Sequence, residues 1–312
     1  AHGIEAIKYG ADAVYIGGPS FSARSAAGNS LEDIAKLVEF AHIYGARIFV
    51  ALNTILTDDE LVEAEKLAWK LYEIGVDALI IQDYGLLRVN LPPIALHAST
   101  QMDNRDLDKV KFWENCGFEQ VVLARETDVK SMENIASHTK ARLETFIHGA
   151  LCVSYSGQCY MSQRMLGRSA NRGECGQPCR MKYSLYDADG KTIAKDKYLL
   201  SLRDFSAEKY LSDMIKAGVS TFKIEGRLKD LAYVKTTVAY YRRIIDEFLA
   251  QNKEYHRMSY GTSKYGFQPD LHKIFNRGLT TYNLSGKREK MANLDTPKSM
   301  GEYVGTTTPQ RG

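Results

Sequence analysis

Residues 30–53 read SLEDIAKLVEFAHIYGARIFVALN, and this stretch holds the phrase from which the fold follows. Ser30 and Asp33 form a helix-start box, and Leu31, Ile34, Val38 and Ala41 recur at helical spacing. Gly45 stands just past the helix, where glycine takes a left-handed backbone at little cost. Arg47 to Asn53 then forms a β-rich run with an unbroken apolar centre from Ile48 to Leu52. Such a run suits a strand covered on both faces, as in a parallel sheet.

The phrase recurs along the chain. Gly10, Gly45, Gly75, Gly117 and Gly218 each precede a strand-like segment, at 12–18, 47–53, 77–83, 120–126 and 220–226, and segments 94–100 and 142–149 bring the number to seven. Thr57 with Glu60 repeats the helix-start box. Alternating strands and helices point to a closed barrel or a doubly wound open sheet. Residues 4–9 read as a helix that a strand should precede. The expectation is therefore an α/β chain, a (β/α)8 TIM-like barrel with its first strand missing from the sequence. The barrel spans 1–251, with a cysteine-bearing insertion at 150–200 between strands seven and eight. An accessory extension follows at 252–295, and 296–312 reads as the start of a truncated small β domain.

Composition narrows the class. With 312 residues, 44% hydrophobic and 25% charged, and a net charge of +3, the chain can bury a full core, which excludes disordered and collagen-like classes. The apolar run Ala78 to Ile81 falls far short of the ~20 residues of a membrane span, and no secretory leader opens the sequence. A cytoplasmic protein without membrane partners is expected. Five cysteines are too few for a disulfide scaffold.

Position says more than number. Residues 148–183 read HGALCVSYSGQCYMSQRMLGRSANRGECGQPCRMKY, with a hairpin expected to turn at Asp189-Gly190. Within them the spacing is Cys152-x6-Cys159-x15-Cys175-x3-Cys179, while Cys116 stands apart as a structural residue. Four such thiols can bind zinc, hold an iron-sulfur cluster, form two disulfides or pack as small side chains. Gly157, Gly173, Gly176 and Pro178 suit a loop folded round a metal centre, and the spacing leaves zinc and cluster both open. The same loop carries Arg164, Arg168, Arg172, Arg180 and Lys182 against Glu174 alone. These cations could grip a phosphate backbone, with Tyr155, Tyr160 and Tyr183 available for base stacking, or an anionic small molecule; the alternatives are a solvated loop or cations that offset the charge of four thiolates. Polar residues collect at the carboxyl ends of the expected strands, where barrels carry chemistry, among them Gln101, Arg125, Glu126, His148, Lys223, Glu225 and Arg227.

Glu144-x-Phe146-x-x-Gly149-Ala150-Leu151-Cys152-x4-Gly157-x-Cys159-x-Met161-Ser162 resembles the signature of the collagenase-like peptidase family of unassigned catalytic type. Tyr9 to Tyr15, His97 to Gln101, Leu123 to Glu126, Asn171 to Gly173 and Lys223 to Arg227 extend the resemblance along nearly the whole chain. It implies a (β/α) barrel and two competing functions. Some members are catalogued as proteases; others are oxygen-independent hydroxylases of tRNA, ribosomal RNA or ubiquinone precursors, with a four-cysteine [4Fe-4S] cluster. The tRNA branch makes 5-hydroxyuridine at the wobble position with prephenate as hydroxyl source. The ubiquinone branch has a cysteine in an Asp-Leu-Cys phrase where this chain reads Asp204-Phe205-Ser206, which favours Cys179 as fourth ligand and the RNA branch.

On the hydroxylase reading the resemblance implies Cys152, Cys159, Cys175 and Cys179 as metal ligands and tRNA as partner, with an electron donor. Arg125, Gln101, Arg227 and Arg172 are then the substrate-binding candidates, and Glu126, His148, Lys223 and Glu225 the catalytic ones. On the protease reading Cys152 is the nucleophile and His148 its base, acting on a protein or peptide. A third class is a non-catalytic barrel that binds RNA or a partner and keeps a structural metal site.

Overall fold

The computed structural model describes residues 1–22, 28–287, 289–302 and 304–306. Helix and strand alternate from the start: α1 (His2–Lys8), β1 (Ala13–Gly17), α2 (Leu31–Ile43), β2 (Arg47–Leu52), α3 (Asp58–Ile74), β3 (Ala78–Ile81), β4 (Ala95–Ala98), α4 (Leu107–Asn115), β5 (Gln120–Val122), α5 (Val129–Ala136) and β6 (Arg142–Ala150). After β6 come α6 (Met161–Leu166), the hairpin β7 (Tyr183–Tyr186) and β8 (Thr192–Lys197), then β9 (Asp204–Ser206), α7 (Leu211–Lys216), β10 (Thr221–Ile224), α8 (Leu231–Gln251) and β11 (Leu279–Thr280).

The helix boundaries follow local chemistry. Ser30 Oγ accepts from the Asp33 amide at 3.1 Å to start α2, and Thr57 and Glu60 form a reciprocal capping box on α3. Gly75 closes α3 in the left-handed conformation at φ 91°, and Gly10, Gly45, Gly117 and Gly218 share the positive φ.

Strands β1 to β6 pair in parallel in chain order, and β10 joins β6, also in parallel. Both faces are buried. On β2 and β3, Ile48, Val50, Leu79 and Ile81 pack into the core under the helices, while Phe49, Ala78 and Ile80 turn to the other face with Ala13, Tyr15 and Ala95. That alternation is why the runs read as continuously apolar. The sheet curls far enough for Lys223 on β10 to place its Nζ 3.2 Å from the centroid of the Tyr15 ring on β1. On the outside, Lys235 of α8 pairs with Glu5 of α1 at 2.9 Å. The result is an α/β fold with a mostly parallel sheet, resembling a TIM barrel. Among the described residues β1–β6 and β10 form a run of seven mutually parallel strands, β9 and β11 extend it to nine, and no ladder joins β10 to β1.

Several segments differ from expectation. The strand expected at 120–126 ends at Val122, and the insertion at 150–200 contains the helix α6. The hairpin does turn at Asp189-Gly190, held by Asp187, whose carboxylate accepts from the amides of Asp189 and Lys191. β9 was not foreseen; it runs antiparallel to the end of β6, with His148 opposite Ser206. The extension 252–295 joins the sheet: β11 pairs with β9, and Arg277 binds Asp204 at 2.9 Å. In the expected small β domain at 296–312, residues 301, 302 and 304–306 form no strand, while Tyr303 and residues 307–312 lie outside the described residues. No helix among the described residues is long and apolar enough to cross a membrane.

Candidate active site and thiol cluster

Two groups of side chains meet at the carboxyl ends of the sheet. The inner group lies in the curl of the strands. Lys223 on β10 donates to Glu144 on β6 at 3.2 Å, and Glu144 accepts a second bond from Gln120 on β5. The ammonium of Lys223 also faces the ring of Tyr15 and stands 5.1 Å from that of Phe146. Burial is the largest influence on Lys223 and pulls its pKa down to about 8, against the pull of Glu144. Arg125, just past β5, lies 3.7 Å over the other partner of this stack, Phe146, and pairs with Glu225 at 3.6 Å. Lys223, Arg125 and Glu225 are thus brought together as the sequence expects.

Glu225 is seated by backbone contacts. Its amide donates to the His148 carbonyl at 2.9 Å, and Arg227 donates its own amide to Glu225 Oε1 at 3.2 Å. A Cβ at Gly149, which has φ 112°, would come within 2.7 Å of Glu225, so glycine is what lets β6 and β10 approach here.

His148 stands elsewhere. The pairing of β6 with β10 slips between Lys223 and Ile224, and the extra residue Ile147 re-aims the chain. Phe146 faces Lys223, but the His148 ring lies outside the sheet near the rings of Tyr233 and Tyr241 on α8. Its Nδ1 is 3.3 Å from the Tyr241 hydroxyl, and burial holds the imidazole neutral down to about pH 3.

The outer group is the cysteine loop. Cys152 follows β6, Cys159 precedes α6, and Cys175 and Cys179 lie in the turn beyond it. All four are free thiols near enough to act on one another's charge. At Cys152 desolvation of the sulfur raises the pKa most, followed among the raising influences by Cys159 and Cys175. At Cys179 burial again leads, with Cys152, Cys175 and Cys159 acting in the same direction. Arg125 favours the Cys152 thiolate, and Arg180 favours that of Cys179. A tetrathiolate centre needs both features, close sulfurs and nearby cations. Among the described residues no three His, Cys, Asp or Glu side chains meet in a ligating arrangement, so binding a metal would draw the thiols closer. Cys116 ends α4, apart from this set.

Arg180 anchors the loop. It donates to the Ser201 hydroxyl at 2.9 Å, to the Leu151 carbonyl at 3.0 Å and to the Leu202 carbonyl. Arg172 serves the other side. It grips Glu60 with two bonds of 2.6 and 3.0 Å and the Ile55 carbonyl at 2.7 Å, which engages it in fastening the insertion to α3. Gln101 is the floor under the loop: at Gly157, φ 75°, a Cβ would sit 1.8 Å from the Gln101 carbonyl oxygen. Glu126 lies between the two groups, with its pKa raised chiefly by burial.

Glu144 and His97 are not among the site residues expected from the sequence, and Arg180 is expected only as one of the loop cations that could offset thiolate charge. His97 is buried beside Phe49 with neither ring nitrogen bonded among the described residues, and burial lowers its pKa to about 3. Glu144 carried one signal, a carboxylate placed inside an apolar strand. Arg180 had another, its place next to Cys179.

With this geometry in view, relatives place the chain. The chain is 52% identical over 301 residues to the 23S rRNA 5-hydroxycytidine C2501 synthase of Escherichia coli, covering 96% of this chain and 46% of that protein. It therefore spans about half the length of that relative. It is 34% identical to tRNA hydroxylation protein P1 of Bacillus subtilis, over 96% of this chain and 73% of that one, and 30% identical to a collagenase of Porphyromonas gingivalis, over 91% and 70%. The profile described as Peptidase family U32 matches residues 2–293, and the chain belongs to that family.

Proposed function

We propose that this chain carries out oxygen-independent hydroxylation of a pyrimidine in RNA. The observation that carries this reading is the gathering of four free thiols beside Arg125 and Arg180, next to the Lys223–Glu144 pair at the same end of the sheet. Cys152, Cys159, Cys175 and Cys179 are the residues that would hold a [4Fe-4S] cluster. When bound, such a cluster supplies electron transfer. Arg125 and Arg227 match the carboxylates of prephenate, the hydroxyl source this reading requires. Lys223, at about 8, can hold or release a proton at Nζ near neutral pH, and Glu144 keeps that nitrogen in place. Among substrates, the 52% identity to a ribosomal RNA cytidine enzyme favours ribosomal RNA over the tRNA wobble uridine suggested by the motifs alone.

A Cys152–His148 peptidase is less well supported. A nucleophilic dyad needs a base within reach of the thiol and a thiol easily ionised. His148 instead lies against Tyr241, and the Cys152 thiol is harder to ionise than usual.

Anaerobic purification followed by iron and sulfide analysis tests the cluster, with about four of each per chain expected. Mass spectrometry of nucleosides from ribosomal RNA and tRNA of a deletion strain tests the reaction. Loss of a hydroxypyrimidine, restored by the intact gene and not by Cys152→Ala, supports the proposal. Zinc in place of iron, or unchanged RNA with impaired peptide cleavage, overturns it.

A further inference from the structure

A pocket of about 340 Å³ opens beside the thiol loop, at the small end of the range for ligand sites. Glu126, Ser154, Tyr155, Tyr282, Asn283 and Met291 line it. These residues come from three separate places, the turn after β5, the start of the cysteine loop and the segment after β11, so the pocket exists only in the folded chain. The Ser154 amide donates to the Cys152 sulfur, so a residue of the pocket's lining contacts the thiol loop directly.

The lining has the chemistry of a flat, polar-edged ring. Tyr155 is 53% exposed, and the Arg105 guanidinium lies 4.1 Å from its centroid, which positions the ring and leaves area open toward the pocket. Arg105 is itself held by Asp103 at 2.7 Å, and Asp103 also accepts from Gln158 of the loop. Glu126 lines the pocket, and its Oε2 is buried without a hydrogen-bond partner among the described residues. Burial is the leading influence on the Glu126 carboxyl and raises its pKa, against the pull of Arg125 and Arg105. Asn283 adds an amide, and Tyr282 is held at φ 54°, an uncommon backbone for a bulky residue and of the kind that clusters at functional sites.

We propose that this pocket receives a single unstacked pyrimidine base of RNA, with Tyr155 stacking on its face and Glu126 and Asn283 reading its hydrogen-bonding edge. The inference rests on the RNA-hydroxylase reading and adds the place where the base is held. An enzyme acting on a ring carbon must take the base out of its stack, and a carboxyl paired with an amide offers hydrogen-bonding groups to the N3 and exocyclic positions of such a ring. The position beside Cys152 puts the bound ring next to the thiol loop.

Saturation-transfer NMR on the full chain, with cytidine, uridine and adenosine 5′-monophosphates as probes, tests the pocket directly. The pyrimidine nucleotides bind and the purine does not. Tyr155→Ala weakens binding roughly 5- to 150-fold, the equivalent of one base stack, and Tyr155→Phe retains it. Glu126→Ala weakens it comparably, Glu126→Gln keeps most of it, and Phe112→Ala on the exposed face of α4 changes nothing. Equal binding of all three nucleotides, or wild-type binding by Tyr155→Ala and Glu126→Ala, overturns the proposal. An RNA hydroxylation assay separates the two readings. Pyrimidine binding with this variant pattern but no hydroxylation leaves the pocket standing and removes the hydroxylase reading. Hydroxylation with an unchanged KM in Tyr155→Ala removes the pocket alone.

Discussion

Arg180 donates to the carbonyl of Leu151 at 3.0 Å, joining the residue after Cys179 to the residue before Cys152. The bond closes the cysteine loop on itself and ties it to the end of β6. Because the same guanidinium serves the Ser201 hydroxyl and the Leu202 carbonyl, truncation leaves several polar groups without their partner. Arg180→Ala should cost about 2–4 kcal/mol, the range for losing charged hydrogen bonds at a part-buried site. Denaturant unfolding checks the stability. Iron per chain, measured on folded protein, checks the loop: a stable variant with full iron content would count against this role.

Removing thiols tests the donor set one residue at a time. Cys152→Ala, Cys159→Ala, Cys175→Ala and Cys179→Ala should each lower bound iron severalfold and alter the visible absorption of anaerobically purified protein. Cys116→Ala, which ends α4 away from the loop, should leave both unchanged. Retention of full iron in any one of the four variants removes that cysteine from the set. Treating the wild type with a chelator under air should produce the spectrum of the depleted variants.

Gly157 is the tightest backbone contact in the loop. A Cβ there meets the Gln101 carbonyl oxygen at 1.8 Å, and φ of 75° disfavours a side chain as well. Gly157→Ala should destabilise by about 2 kcal/mol or more, as the loop must lift from β4 and its following turn. Thermal unfolding measures this, with Gly190→Ala as comparison: that turn also has positive φ (79°) but has nothing within 4 Å of an added Cβ, so its loss should be smaller.

Buried bases give the chain a defined pH profile. Lys223 and Lys229 both have pKa values lowered to about 8, with burial as the leading cause, against 10.5 in the unfolded chain. Between pH 8 and 10.5 the unfolded chain holds protons that the folded chain has released, so these groups make stability rise with pH across that window. Nitrogen-detected NMR should find two lysines titrating near pH 8, each lost in Lys223→Met or Lys229→Met. His97 and His148 act at the acid end. Their values of about 3, against 6.5 unfolded, mean that stability falls as pH drops from 6.5 toward 3. His148→Gln should flatten part of that slope; an unchanged slope would show that the ring is not held neutral.

Local chemistry explains why much of this was readable from the residues. Ser30, Thr57 and Gly75 act on amides and carbonyls within a few positions of themselves, so the helix limits, and with them the strand-and-helix order, are written in short words. The four cysteines stood out for the same reason, since they fall within one loop. Arg125, Lys223 and Glu225 were readable as strand-end residues because the ends of parallel strands converge.

What the residues alone could not determine depends on pairings between distant segments. One extra residue in β6 against β10 decides that His148 faces Tyr241 while Phe146 faces Lys223, and no periodicity announces such a slip. Arg172 meets Glu60 across 112 positions, and Arg277 meets Asp204 across 73, so a cation that looked available for substrate is engaged in holding the insertion down. Segment order and the inventory of reactive groups belong to the sequence. Which face each group uses, and which charges cancel, is decided only when the sheet curls and brings its ends together.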